Sequence, residues 1–258
     1  MWAKLQWAEE LLVILDCEIG AWIETRPYSF VTKFNDDNTR ISVVAKVKSD
    51  PLLFRWSLMF SDIVHDLRCV LDHLVWAIAV HEKAPGFSPD KNRALLFPIW
   101  NDPPTGKDAG RIEILSRPVR TAIDSVQPYK AILHPSLAMH PLSTLAWLDN
   151  ANKHKLLMMV RSCPGSGDVE VAWDGTSDPP EQTLHMGDIE DGTELLTLIF
   201  KTPQRNVKCK VEKLLVLIAI VYPVKTIYGT DRDDYAALVD RLIVEIKQVI
   251  NVVTAAVV

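Results

Sequence analysis

The sequence predicts an α+β fold, because two patterns of apolar residues alternate along its 258 residues. Towards both ends, apolar side chains recur every three or four positions, which is the spacing of an amphipathic α-helix. In the C-terminal third, short β-branched runs separated by Gly, Pro and Asp predict strands. We expect one α+β domain, 1–258, in which the final helix packs on the first two. The alternative is a helical part, 1–155, followed by a β region with the C-terminal helix, 156–258.

The N-terminal part of the chain predicts three elements in order. A helix, a β-hairpin and a longer helix are expected over 2–24, 28–47 and about 51–82. The hairpin prediction depends on the turn sequence NDDN, which lies between two β-branched runs. Ser49 or Asp50 can cap the longer helix, and Pro51 suits its first turn because a missing N–H costs nothing there.

The remaining elements are two helices, several strands and a last helix. The helices are expected at 109–126 and 141–154. The runs KLLMMVRS, DVEVAWD, TELLTLIF and VKCKVEKLLVLIAIVY predict strands, and PGSGD between the first two predicts a turn. The chain then predicts an amphipathic helix capped by Thr230 and Asp231. We expect the strands to form an antiparallel β region that this final helix closes.

The balance of charge limits the partners that the chain can bind. The net charge is −5, and nine acidic residues with no Lys or Arg lie between positions 167 and 195. Phosphate contacts supply most of the non-specific affinity for nucleic acid, so this composition argues against a protein that coats DNA or RNA. Four basic residues could form a small anion-binding patch or only the solvent face of a strand: Arg205, Lys208, Lys210 and Lys213.

Cysteine spacing and hydropathy indicate a compartment. The four cysteines lie far apart without a Cys-x-x-Cys pair, which favours a reducing cytosol over a disulfide framework or a zinc knuckle. The first residues lack the pattern of a signal peptide. The longest apolar run, LLVLIAIVYPV, has 11 residues, whereas a membrane-spanning helix needs roughly 20. We therefore expect a cytoplasmic protein with no membrane partner.

A stripe of polar residues on the second predicted helix is the strongest functional signal. Successive helical residues turn by about 100°, so five charged or imidazole side chains between positions 65 and 73 share about 160° of arc. They are His65, Asp66, Arg68, Asp72 and His73. Cys69 falls within the same arc, and the opposite arc is apolar. A solvated helix face with ion pairs between positions four apart would have this pattern.

The same residue types also suit catalysis. A histidine titrates near neutral pH, and a nearby carboxylate can fix its tautomer and raise its basicity. An adjacent Arg can stabilise charge that develops on a phosphorus centre. The candidate catalytic residues, for cleavage of a phosphodiester without a metal, are therefore His65, Arg68, Asp72 and His73.

Three further residues are candidate binding groups. Lys153 and His154 lie at a predicted helix end, where they could bind an anion or serve only as a C-terminal cap. Tyr129 in QPYK could hydrogen-bond into the same region or pack as an aromatic side chain. These residues lie far from the stripe in sequence, so only the fold can bring them to it.

A metal site is a third possibility on the same helices. Zinc or iron would be bound by His65, Asp72 or His73, and His154. The spacing of these residues matches no metal-binding motif, and no phosphate-cradling glycine loop or Gly-x-Ser-x-Gly sequence occurs. The sequence therefore predicts neither a metal nor a cofactor.

Several spaced motifs resemble an uncharacterised family of bacterial and phage proteins. VHDLRCVLDHLVWAIA, preceded by WAEELLVILDCEIGAWIETRPY and followed by FPIW, QPYK and LDNANKHKLL, is similar to the family pattern HNLRSALDHL, FPI, QPY and DKHR. The resemblance spans about residues 5–157. Asn152 stands where the family pattern has Asp. The resemblance implies a shared fold for this part of the chain and no particular activity.

Arg68 and His73, with four residues between them, also resemble the motif of the HEPN superfamily. This resemblance implies a helical bundle, a homodimer in which two motifs meet, and metal-independent RNA cleavage of the toxin or antiphage-defence type. In that chemistry His73 would take the proton of a ribose 2′-hydroxyl and Arg68 would hold the scissile phosphate. Cys69 departs from the family, which often has Asn, Asp or His after the Arg.

Three functions are therefore weighed for the chain. The first is a HEPN-like, metal-independent endoribonuclease with RNA as its substrate. The second is a non-enzymatic module of phage or antiphage systems that binds a protein partner through its polar stripe or its acidic region. The third is a metal-dependent helical enzyme.

Overall fold

The computed structural model describes residues 1–84, 86–88, 95–131, 139–154, 159–172, 178–185, 187–204, 208–221 and 232–257. These residues form a mixed α+β fold that ends in a C-terminal helix, as the sequence predicts. The α-helices are α1 (Trp2–Glu24), α2 (Leu53–His81), α3 (Arg117–Ser125), α4 (Pro141–His154) and α5 (Tyr235–Thr254). The strands are β1 (Tyr28–Phe34), β2 (Arg40–Val47), β3 (Met159–Ala172), β4 (Glu181–Leu184), β5 (Glu194–Ile199), β6 (Lys208–Val221) and β7 (Arg232–Asp234). Short 3₁₀ helices lie at Ala109–Ile112 and Pro128–Lys130.

The chain divides into two compact units. The helical unit comprises Met1–Asp16, Arg55–Met158 and Tyr222–Val258, and the sheet unit comprises Cys17–Phe54 and Met159–Val221. Both units are assembled from segments that are distant in sequence. The expectation of one domain, and the alternative of a boundary near residue 155, stay predictions.

The helical unit has a core built from faces that the sequence periodicity predicts. The apolar arc of α2 is buried, with Leu67, Val70 and Leu71 fully covered. Helix α5 buries a stripe of Leu, Ile and Val residues at three- and four-residue spacing and packs on α3 and α4. Burial of each such side chain contributes about 1.5–3 kcal/mol, so these helices are held by their apolar faces.

The starts of three helices differ from the sequence-based expectation. Helix α2 begins at Leu53, so Pro51 precedes it and is not in its first turn. The predicted helix 109–126 is a 3₁₀ turn followed by α3, because Pro118 is tolerated only in a first turn and Glu82 accepts hydrogen bonds from Ser116 just before it. The cap of α5 is Asp234, whose carboxylate accepts from the Ala237 N–H at 2.9 Å.

The predicted caps of α5 were therefore wrong. The helix begins several residues beyond Thr230 and Asp231, which lie outside the described residues. Asp234 is chemically equivalent to them as a cap, so the DRDD sequence offers several equivalent starts. Strand β7 occupies Arg232–Asp234, so α5 begins only after it, and the hydroxyl of Tyr235, its first residue, donates to the Asp16 carboxylate on α1.

The sheet unit contains a four-stranded antiparallel sheet in the order β1-β2-β5-β4. The predicted hairpin of β1 and β2 is confirmed, and Asn38 in its turn takes a left-handed conformation with φ of 53°, which Asn tolerates. One face buries a cluster that includes Ile41, Val43 and Leu198. Strand β4 was not predicted from the sequence, because EQTL is polar and all four residues are exposed.

Strands β3 and β6 pair as a second antiparallel ladder. The predicted turn PGSGD is wrong, because Pro164 to Asp168 lie inside the single strand β3. The register of β3 against β6 shifts between Pro164 and Gly167, which is an irregularity of the β-bulge kind. Gly and Pro are common in bulges as well as in turns. The PGSGD sequence therefore marks an irregularity within β3 and not a turn between two strands. Within the described ranges, each helix is too short or too polar to cross a membrane.

Candidate functional site

The polar stripe of α2 is not one uniformly solvated face. His65 and His73 are exposed, Arg68 and Asp72 are half-buried, and Asp66 is buried. The two half-buried residues and the buried one are each engaged by another part of the helical unit. The stripe therefore separates into structural contacts and two exposed histidines, His65 and His73.

Asp66 belongs to the structural contacts. Its buried carboxylate forms an ion pair with the ammonium group of Lys4 on α1. That hydrogen bond raises the pKa of Lys4, and burial of the lysine opposes the shift. The pair fastens the beginning of α1 to the middle of α2.

Arg68 and Asp72 together hold the backbone of Phe97. The Arg68 Nη2 donates to the Phe97 carbonyl at 2.8 Å and lies 3.0 Å from Asp72 Oδ1, which accepts from the Phe97 N–H at 2.9 Å. The side chains are only 13% and 20% exposed. Burial raises the pKa of Asp72, and the Arg68 charge and the Phe97 N–H oppose that shift. The predicted ion pair is thus a clamp on the FPIW segment, 97–100.

A second clamp holds the same segment from the QPYK motif. Gln127, 1% exposed, donates to the carbonyls of Pro98 at 3.1 Å and Ile123 at 3.0 Å, and its amide oxygen accepts from the Trp100 N–H at 2.8 Å. The backbone N–H of Tyr129 donates to the Trp100 carbonyl at 3.3 Å. Three of the sequence motifs therefore form one hydrogen-bonded network, in which the backbone of 97–100 is the shared partner.

Tyr129 itself contacts α3. Its hydroxyl donates to the Asp124 carboxylate, which also forms an ion pair with Lys130. The Asp124 hydrogen bond raises the pKa of Tyr129. Among the described contacts, none joins the Tyr129 side chain to the polar stripe of α2. Its predicted role as a binding residue stays a prediction.

His65 is oriented by a carboxylate from α4. Its Nδ1 lies 3.0 Å from Oδ1 of Asp149, which is 5% exposed, whereas the imidazole is 47% exposed. The Lys153 ammonium group donates to the other carboxylate oxygen at 2.6 Å. Because the Lys153 ammonium group can only donate, Asp149 serves as an acceptor, and we assign the ring proton to Nδ1, the nitrogen that faces it. Nε2 of the neutral imidazole is then left as a base.

The thiol of Cys69 lies next to that base. Its Sγ is 3.5 Å from Nε2 of His65, one helical turn earlier on α2. Burial raises the pKa of the Cys69 thiol, and the neighbouring Asp72 carboxylate adds to the shift, while Lys4 opposes it. The raised pKa favours the protonated thiol, whose S–H can donate to Nε2 of His65 when the ring proton is on Nδ1.

Helix α4 brings Asp149 to α2 through the motif LDNANKH. The Asn152 amide donates to the Ser61 carbonyl on α2 at 3.3 Å, which ties the two helices one turn away from His65. Asp149 was missed as a site residue in the sequence, although it lies in a quoted motif four positions before Lys153. Asp149 and His65 are 84 positions apart in the sequence, so helical spacing alone could not predict their contact.

The predicted site residues are thus only partly brought together. His65 and Lys153 share Asp149, and Arg68 and Asp72 share Phe97. Positions 68 and 73 are about 140° apart on one helix, and no contact between Arg68 and His73 occurs among the described residues. The side chain of His154 lies outside the described part of the structure. Within that part, no group of three or more His, Cys, Asp or Glu side chains is arranged to hold a metal ion.

No protein-family model, curated protein or solved structure matches this chain. The resemblances to the phage-associated family and to the HEPN superfamily therefore stay predictions. A function has to be inferred from the geometry around His65.

Proposed function

We propose that this chain is a metal-independent endoribonuclease in which His65 is the general base. The contact that carries the proposal is the one between His65 Nδ1 and the buried Asp149 carboxylate, 3.0 Å long. A carboxylate in this position keeps the proton on Nδ1, stabilises the imidazolium that forms during proton transfer, and leaves Nε2 as the basic atom. The exposed ring can reach a substrate in solvent.

The proposed reaction needs one base and a nearby positive charge. His65 Nε2 takes the proton of a ribose 2′-hydroxyl, and the 2′ oxygen attacks the adjacent phosphorus. The bond from phosphorus to the 5′ oxygen breaks, and the 5′ oxygen takes a proton from solvent. Lys153, which shares Asp149 with His65, supplies positive charge beside the attacked phosphate. The products carry a 2′,3′-cyclic phosphate and a 5′-hydroxyl group.

The HEPN-like arrangement is a second version of the same proposal. It uses Arg68 and His73 from two copies of the chain, in a homodimer. The exposed His73 is compatible with this role, whereas Arg68 is already engaged by Phe97 and Asp72. The buried Nη1 of Arg68 has no hydrogen-bond partner among the described residues. These contacts favour His65 over His73 as the base.

RNA cleavage in EDTA tests both versions. We expect the wild-type protein to cleave labelled tRNA or mRNA, and His65→Gln to be slower by about 10²–10⁴-fold, the usual contribution of a general base. His73→Gln is the matched control on the same helix and should cleave at the wild-type rate. Loss of cleavage in His73→Gln alone would support the HEPN-like version. Intact RNA with the wild-type protein, or equal rates for all three proteins, would overturn the proposal.

A non-enzymatic module that binds a protein is the second candidate function. The observation that favours it is that three of the five stripe residues have structural contacts: Arg68 and Asp72 with Phe97, and Asp66 with Lys4. The net charge of −5 also favours a protein partner over RNA. A stable complex pulled down from the native host, unchanged by His65→Gln and His73→Ala, would support this function. The absence of any stable complex between the wild-type protein and a host protein would contradict it.

A further inference from the structure

Cys69, His65 and Asp149 form a continuous chain of contacts that the endoribonuclease proposal does not use. Sγ lies 3.5 Å from Nε2, and Nδ1 lies 3.0 Å from Oδ1. This is the order of a nucleophile, a base and an orienting carboxylate. Lys153 holds the second carboxylate oxygen and so fixes the carboxylate in place.

We propose that Cys69 is a nucleophile activated by His65, and that it accepts acyl groups from activated acyl donors. The inference rests on His65 acting as a base, as in the proposed function, but it requires no RNA substrate. Asp149 is a positioning residue in this triad, because it acts on the reaction through His65.

The reaction follows from the protonated state of the thiol. Sγ attacks the carbonyl carbon of the donor as His65 Nε2 takes the thiol proton, so the S–H bond breaks while an S–C bond forms. The tetrahedral intermediate then collapses, the bond to the leaving group breaks, and the leaving group takes the proton from His65. A water molecule, deprotonated by His65, later attacks the thioester carbon and forms a C–O bond; the C–S bond breaks, the carboxylic acid leaves, and Sγ takes the proton back from His65.

The position of Cys69 inside α2 sets the class of substrate. Backbone N–H groups in a helix interior donate to carbonyls four residues earlier, so those around Cys69 are not available to an oxyanion. Without backbone donors, the barrier for attack on an unactivated amide stays high. The acyl donor must therefore have a good leaving group, as thioesters and aryl esters do.

Cys17 provides an internal control. It lies exposed on α1 as a free cysteine, and the structure gives it no hydrogen-bond partner among the described residues. Cys69 is the less exposed of the two, and burial alone would make it the slower to react. Faster reaction at Cys69 than at Cys17 would thus indicate activation rather than access.

The test is acylation of the full-length protein by p-nitrophenyl acetate. We expect release of p-nitrophenol with a burst of one equivalent, and peptide mass spectrometry should locate the acetyl group on Cys69. His65→Gln should slow the acetylation of Cys69 by about 10²-fold, as loss of a general base does. Cys17→Ser should leave the burst unchanged. Circular dichroism of each variant at the assay temperature shows that it is folded.

Two outcomes would overturn the triad. One is acetylation of Cys17 at a rate equal to or above that of Cys69. The other is an equal rate of Cys69 acetylation in the wild-type protein and in folded His65→Gln. The two proposals fail separately, since RNA cleavage and acetylation are both measured on the same His65→Gln protein. His65-dependent acetylation without RNA cleavage would leave the triad and remove the endoribonuclease.

Discussion

At the scale of the residue, Asp149 uses both of its carboxylate oxygens. One faces His65 Nδ1 and the other accepts from Lys153. The lysine ammonium can only donate, so whichever atom faces it must be an acceptor. If residue 149 were an amide, this constraint would make the tautomer of His65 depend on Lys153.

Asp149→Asn should therefore reverse the tautomer of His65. The amide oxygen of Asn would face the Lys153 ammonium group, and the amide NH₂ would donate to Nδ1. The ring proton would move to Nε2, which could no longer act as a base. We expect ¹⁵N NMR of the His65 ring to show protonated Nδ1 in the wild-type protein and protonated Nε2 in the variant. RNA cleavage and acetylation should both fall about 10²-fold or more.

A double variant is the control for that reversal. In Asp149→Asn with Lys153→Met, the ammonium group is gone and the amide is free to present its oxygen to Nδ1. The NMR spectrum should return towards the wild-type tautomer. If the single and double variants have the same tautomer, Lys153 does not set the orientation of residue 149.

His140 gives a prediction for the pH dependence of stability. Its Nδ1 accepts from the Leu142 N–H at 3.2 Å at the start of α4, and burial lowers its pKa below 6.5. The folded protein then binds this proton less tightly than the unfolded chain does. The contribution of His140 to the free energy of unfolding should be fully present above about pH 6.5, the pKa in the unfolded chain. It should be lost as the pH falls from there towards the lowered pKa of the folded protein.

Urea unfolding between pH 8 and pH 5 measures this effect. His140→Asn is the control, because Asn keeps an acceptor at the helix start and does not titrate. Its unfolding free energy should change less over this range than that of the wild-type protein. Glu245 lies 3.8 Å from the ring, and burial raises the pKa of its carboxyl, so its own titration opposes the His140 effect and Glu245→Gln should steepen the decrease. Parallel pH curves for the wild-type protein and His140→Asn would contradict the prediction.

At the scale of the element, two clamps hold the segment 97–100. Asp72→Ala would leave the Phe97 N–H and the half-buried Arg68 charge without this acceptor, at about 1–3 kcal/mol for each buried group left unsatisfied. Gln127→Ala should cost at least as much, because two buried backbone carbonyls and the half-buried Trp100 N–H lose their partner. Chemical unfolding monitored by circular dichroism measures both losses. Asp62→Ala, an exposed carboxylate on the same helix, should change stability by less than about 0.5 kcal/mol.

The outcome of the clamp experiment also bears on function. If Asp72→Ala and Gln127→Ala destabilise the protein but retain RNA cleavage in the folded fraction, the motifs FPIW and QPYK serve the fold. Wild-type stability in both variants would contradict the clamps. If Asp72→Ala and Gln127→Ala lose activity but keep wild-type stability, the segment 97–100 instead contacts the substrate.

The elements could be predicted wherever one physical signal dominates. The periodic spacing of apolar residues predicted α1, α2, α4 and α5 to within a few residues, and the NDDN turn predicted the first hairpin. Strand β4 has no apolar face, and it is a strand because β5 pairs with it. The bulge in β3 has the same Gly and Pro residues as a turn, so only the register of its partner decides between them.

The candidate site could also be predicted only in part. Projection around one helix placed His65, Arg68, Asp72 and Cys69 on one arc, since all four belong to α2. It could not separate the clamp from the accessible group, because Phe97 and Asp149 approach from other segments. Contacts between distant segments depend on packing, which a helical projection does not include.

At the scale of the whole molecule, a net charge of −5 opposes binding of RNA over a long surface. If RNA binds at His65 and Lys153, only one or two phosphates should be neutralised. The logarithm of the binding constant for single-stranded RNA should then fall with the logarithm of salt concentration with a slope of about −0.7 to −1.4. Fluorescence anisotropy with a labelled oligonucleotide and His65→Gln measures this slope. A slope several times steeper would indicate a basic surface elsewhere on the chain.

Chemical rescue by imidazole tests the role of His65 as general base most directly. His65→Ala removes the ring from an exposed position, so free imidazole in solution can enter the same space beside Asp149. We predict that RNA cleavage by His65→Ala in EDTA is very slow and rises in proportion to added imidazole, while the wild-type rate is unchanged. A folded His65→Ala protein that cleaves RNA at the wild-type rate, or that imidazole does not accelerate at all, would contradict the assignment of His65 as the base.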